Sequence, residues 1–188
     1  ITMDNANSVV GAVSSGSGKN GTLHDINALD LGTATVTGNM VVTTAGAITE
    51  SGNVTVAGTT SLTAGAANSI TLDNANDFVG DVTVVSGNNV TLNDINAIQF
   101  GGVSTVSGKL VVTAAGAITD GAAGTLAVTG TTSLTAGAGN NIPLDNGNDF
   151  IGEVPAGSGT DVRLNDITAN TFGVATTISG NGVETEPA

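Results

Sequence analysis

Aspartate and asparagine are the residues of this chain best placed to do chemistry. Asp4-Asn5, Asp73-Asn74 with Asn76-Asp77, and Asp145-Asn146 with Asn148-Asp149 recur at matching places. Oxygen-rich turns of this kind can hold calcium. The glycine-rich G-G-x-G-x-D repeat of calcium-binding solenoids is absent, however. Asn and Asp also favour left-handed turn conformations and can form ladders between stacked turns. Structural turns are therefore the first reading and calcium the alternative, with no residue assigned as a metal ligand.

A second acidic series, Asp25, Asp94 and Asp166, invites a carboxylate-based mechanism. Stacked coils would place one of these every three coils, about 14 Å apart. That is too far for a paired-carboxylate glycosidase. His24 is the single histidine, and the later copies carry Asn93 and Asn165 in its place. It reads as a surface residue in a tolerant polar turn. Without further histidines, the serines lack the base of a hydrolytic triad. Lys19, Lys109 and Arg163 are too few for a polysaccharide lyase. The sequence thus assigns no catalytic, cofactor-binding or metal residue and reads as not an enzyme.

The elements that carry these residues are set by repetition. ITMDNAN opens at Ile1, ITLDNANDFVG at Ile70 and IPLDNGNDFIG at Ile142, so the steps are 70 − 1 = 69 and 142 − 70 = 72. LHDINALDLG, LNDINAIQFG and LNDITANTFG follow in turn, and a repeat this clear determines the architecture. Isoleucines at 1, 26, 48, 70, 95, 118, 142 and 167 divide it further, with differences of 25, 22, 22, 25, 23, 24 and 25. Each unit holds three short runs of Val, Thr, Leu and Ile separated by Gly, Asn, Asp or Ser, which is strand and turn chemistry. Val54-Thr55-Val56 and Val82-Thr83-Val84 alternate with a period of two, and helix propensity is low throughout.

These patterns predict an all-β fold: a right-handed parallel β-helix of about eight coils of about 24 residues, three short strands to a coil. The rod would be on the order of 35–40 Å long. One domain over 1–180 is expected, built of long repeats 1–69, 70–141 and 142–180, with a frayed tail over 181–188. Nothing like a cap precedes the first coil, which reads as a piece of a longer chain. Phe78 and Phe100, and likewise Phe150 and Phe172, hold equal offsets on neighbouring units. They are expected to stack in pairs inside the core, where the first copy has Val9 and Leu31.

Composition narrows the partners. Net charge is −13, from 16 acidic residues against three basic ones. That argues against nucleic acid, which needs clustered Lys or Arg, and against anionic membranes. There is no cysteine, so neither disulfides nor thiol chemistry is available. No apolar stretch is long enough to span a bilayer as a helix. A threonine array such as Thr33-Ala34-Thr35-Val36-Thr37 suggests ice binding, but the second copy reads Gly102-Val103-Ser104-Thr105-Val106 and breaks it.

GTTSLTAGAANSITLDNANDFVG, VTLNDINAIQFG and LVVTAAGAIT resemble the repeat regions of large filamentous-haemagglutinin-like bacterial exoproteins. The resemblance covers Ile1 to about Gly180 and lies in repeat style, with no family site residue to carry over. It implies a rod segment of a two-partner-secreted or autotransporter adhesin, extracellular or at the bacterial surface. Such a segment would serve adhesion or biofilm contacts through a host or bacterial receptor or glycan. A self-assembling fibre, stacked end to end through open strand edges, is the second function compatible with the pattern. A glycan-binding or glycan-cleaving β-helix is the third.

Overall fold

The computed structural model describes residues 1–168 and 180–185. Among these every regular element is a strand and every strand pairing is parallel. The chain winds as a right-handed parallel β-helix of about eight turns, as the residue pattern predicts. Three sheets of seven, nine and five strands run along it. Long strands turn corners of the coil: Leu29–Val36 pairs first with Ile48–Glu50 and then with Val54–Val56, and Ile70–Phe78 pairs with the same two strands from the coil above.

Alternation makes the core. In Val90–Asp94 and Leu110–Ala114 every second residue points inward, and those residues are buried. Leu29, Ile48, Ile70, Val90 and Leu110 stand in register on successive coils. One continuous apolar cluster runs from Leu23 to Leu164. Each buried Leu, Ile or Val contributes roughly 1.5–3 kcal/mol by leaving water. Nearly all the apolar free energy of this weakly charged chain is concentrated in that column.

The coil is shorter than the isoleucine spacing suggests. Register partners on one ladder, Thr2, Thr22, Val41, Ser61 and Thr83, are 20, 19, 20 and 22 residues apart. The basic coil is therefore about 20 residues rather than 24. Isoleucine type had merged two environments: Ile48, Ile70, Ile118 and Ile142 are fully buried, whereas Ile26, Ile95 and Ile167 are about half exposed. The exposed three sit in Asp-Ile-Asn or Asp-Ile-Thr turns and mark no coil start.

Two-residue insertions account for the longer 22-residue steps. One is the loop at 64–69, where Gly65 takes a φ of 81°; its counterpart holds Gly139 at 84°. Asn68 Nδ2 ties the first loop to Ala64 O at 2.8 Å and Ala45 O at 3.2 Å. Asn140 Nδ2 does the same to Gly137 O and Ala115 O. Among the described residues no non-glycine residue has a positive φ, so the Asn and Asp turns are not left-handed. They are held by hydrogen bonds between coils.

A 20-residue coil and a 70-residue repeat do not share a whole-number ratio. The ladder Thr2–Thr22–Val41–Ser61 belongs to the seven-stranded sheet. Its sequence counterpart, Thr71–Thr91–Val111–Ser133, belongs to the nine-stranded sheet. The third, Pro143–Arg163–Val183, belongs to the five-stranded sheet. Each long repeat thus winds three coils and roughly one further side, and its successor faces a different direction. Gly182–Thr185 pairs in register with Val162–Asp166, so this part of the expected frayed tail is a strand.

The aromatic pairs are arranged differently from expectation. Phe78, Phe100 and Phe150 are buried. Phe78 pairs in register with Val56, Phe150 with Val128, and Phe100 with Val82 on one side and Asp120 on the other, so Phe78 and Phe100 are not ladder neighbours. Phe172 lies outside the described residues.

Candidate functional site

The Asp/Asn turns gather into a polar knot that spans three successive coils. In the second repeat its lower coil supplies Glu50, its middle coil Asn74 and Asn76, and its upper coil Asn93 and Asp94. Asn76 is fully buried. Its Oδ1 accepts from the backbone N–H of Val54 at 2.8 Å, and its Nδ2 donates to Glu50 Oε1 at 2.9 Å and Asn74 O at 3.3 Å. Glu50 Oε1 also accepts from the backbone N–H of Asn74. From above, Asp94 takes the Phe78 N–H on Oδ2 at 3.0 Å and the Asn96 N–H on Oδ1 at 2.8 Å.

This geometry follows from the need to satisfy buried backbone groups where a strand ends at a corner. A carboxylate two residues before Asn96 closes an Asx turn and also reaches down one coil. The same arrangement recurs with Asp25, which accepts from Val9 N–H at 2.7 Å and Asn27 N–H at 2.8 Å. Asp166 accepts from Phe150 N–H at 3.2 Å and Thr168 N–H at 3.1 Å. All three aspartates are 1% exposed. Burial pushes the Asp94 carboxyl up from its ordinary range, against the opposing pull of its two backbone N–H donors. Burial likewise raises Glu50, opposed by Asn76 and the Asn74 N–H and reinforced by the Asp73 and Asp30 charges.

His24 joins the same network at its rim. Its Nδ1 lies 3.4 Å from Asp4 O, while Asn93 and Asn165 donate to Asp73 O and Asp145 O at 3.3 and 3.0 Å. Histidine and asparagine are thus interchangeable bridges to the coil below. The Arg163–Asp145 ion pair, 2.7 Å long with both side chains more than half exposed, contributes little to stability.

The carboxylates considered for catalysis do not converge. Asp25, Asp94 and Asp166 each serve a separate corner, with oxygens turned to backbone N–H donors. Among the described residues no group of three or more His, Asp or Glu is placed to hold a metal. The outward column Thr35–Thr55 ends at Asp77 on the third coil, which interrupts a flat threonine array. Sequence reasoning read the Asp and Asn positions as structural turns able to form ladders and did not place Asn76, Asn148 and Asp94 in the interior. The signal lay in their strict offsets, Asn at +6 and Asp at +24 from Ile1, Ile70 and Ile142.

The fold and its knot are those of a short-coil repeat solenoid, built by stacking one sequence unit. A family model described as repeats of unknown function, DUF5649, matches residues 18–85 and 87–157. The two matches cover 68 + 71 = 139 of 188 residues, and the chain belongs to that family. No protein of curated function and no solved structure matches the chain.

Proposed function

We propose that this chain is a non-catalytic rod segment of a large secreted or cell-surface bacterial protein, holding other parts away from the cell and serving adhesion or surface contacts. The observation that carries the proposal is the single uninterrupted core from Leu23 to Leu164, with the buried Asn76 and Asp94 of one corner hydrogen-bonded to backbone groups of the coil below. Such a column transmits length and stiffness. The resemblance of GTTSLTAGAANSITLDNANDFVG and LVVTAAGAIT to filamentous-haemagglutinin-like repeats supports the extracellular setting.

Removing residues 70–141 from the parent protein on the cell surface tests the proposal. A spacer loses attachment in proportion to lost length and recovers it with any β-helix of equal rise. Recovery only with the native sequence would show that the flank itself binds. Negative-stain microscopy separates the rod from the fibre reading: short single rods at micromolar concentration fit the rod, and long filaments of constant width fit the fibre.

A further inference from the structure

The third repeat departs from the other two on one outward face. Pro143 stands where the second repeat has Thr71, Arg163 where it has Thr91, and Asp161 where it has Asn89. Pro143 and Arg163 are register neighbours on adjacent coils. With Asn141, Asp161 and Asn181 they line a groove of about 320 Å³. The groove's corner is firmly built. Asn141 Oδ1 accepts from Asp161 N–H at 3.1 Å, and Asp161 Oδ1 accepts from Asn181 N–H at 2.9 Å. The backbone runs in step, with Ile142 N–H on Asp161 O and Val162 N–H on Asn181 O.

What remains unspent defines the ligand. Arg163 uses Nη2 on Asp145, and its other N–H groups donate to no described residue. Asp161 Oδ2 accepts from no described residue, and the Asn141 and Asn181 amides have N–H groups to give. Guanidinium and amide donors beside a carboxylate acceptor match paired hydroxyls, each of which both donates and accepts. The Pro143 ring supplies an apolar edge. One Arg against Asp145 and Asp161 leaves the groove net negative, in a chain of charge −13, which repels acidic ligands. Its volume lies at the small end of ligand pockets and has room for one sugar ring.

We infer that this groove is a binding subsite for a neutral pyranoside, present in the third repeat and lacking in the first two. Few contacts and an open face place its affinity in the millimolar range. The test is saturation-transfer NMR on the whole chain with the methyl glycosides of glucose, galactose, mannose and N-acetylglucosamine. The expected result is transfer to at least one of them, weakened about tenfold or more in affinity by Arg163→Thr and by Asp161→Asn. Both variants restore the residue the second repeat carries at that place, so they keep the coil. Circular dichroism unchanged from the parent confirms this. Absence of transfer from all four glycosides, or equal transfer in parent and variants, would overturn the assignment.

Discussion

The polar knots of the second and third repeats do the same work with different acids. In the second, Glu50 concentrates two donors on Oε1, while Oε2 is buried without a partner. In the third, Asp120 spreads three donors over both oxygens. Asp145 N–H lies on Oδ1, and Asn146 N–H and Asn148 Nδ2 on Oδ2, all at 3.0–3.1 Å. The loop after the acid is also two residues longer in the third knot, from Asp120 to Leu126 against Glu50 to Val54. Asn146 Nδ2 uses that loop, donating to Gly121 O and Gly124 O. The longer Glu50 on the shorter loop thus leaves one of its own oxygens orphaned, whereas the shorter Asp120 on the longer loop leaves neither of its own, although Asp166 Oδ2 of the third knot is also buried without a partner. Corner stability depends on matching the two.

The largest expected break in this comparison is at the buried amides. Asn76→Ala strips Val54 N–H of its acceptor and Glu50 of a donor, so it should destabilise by about 3 kcal/mol. Asn148→Ala should lose less, about 2 kcal/mol, because Asp120 keeps two backbone donors. Urea unfolding of each variant checks the order. Equal losses would show that the Asp120 contacts contribute nothing.

Acidification should act next, and through the second knot. Burial holds the Glu50 and Asp94 carboxyls above the ordinary carboxylate range in the folded chain. A group that binds its proton more tightly when folded favours the folded state as pH falls. Stability should therefore rise as pH drops from 7 through the raised values, with the gain complete below about 4.5 for Glu50. Relief of self-repulsion at net charge −13 works in the same direction. Glu50→Gln separates the two by flattening part of the slope in melting temperature against pH. An unchanged slope would remove Glu50 from the explanation.

A smaller gain is expected from the core threonines. Thr60 and Thr132 occupy matching inward positions, and both hydroxyls are buried without a partner. Thr132→Val keeps the shape and removes the orphaned group, so it should stabilise by about 1 kcal/mol in thermal melts. The smallest effect belongs to Ile95→Asp. Ile95 is 48% exposed, so the change should stay within about 0.5 kcal/mol.

The fold was legible in the sequence because strand alternation and turn residues act locally. The coil length was not, because isoleucine occupies both the core column and the exposed Asp-Ile turns. Position within the strand, rather than residue type, separates Ile98 in the core from Ile95 three residues earlier. The knot was half legible. The offsets of Asn76 and Asp94 were visible, but their burial depends on a coil twenty residues away. The groove at Pro143 and Arg163 was hidden, since it arises only when coils carrying Asn141, Asp161 and Asn181 stack at one corner.

The mismatch between repeat and coil is the central structural claim, and spin-label distances test it most directly. Cysteines at Thr22 and Thr83 lie on one ladder three coils apart, about 14 Å between backbones. Cysteines at Thr22 and Thr91 are sequence counterparts on different sheets. The account predicts that the 22–83 pair is the closer of the two. A shorter 22–91 distance would mean that the long repeat closes on whole coils and would contradict the winding described.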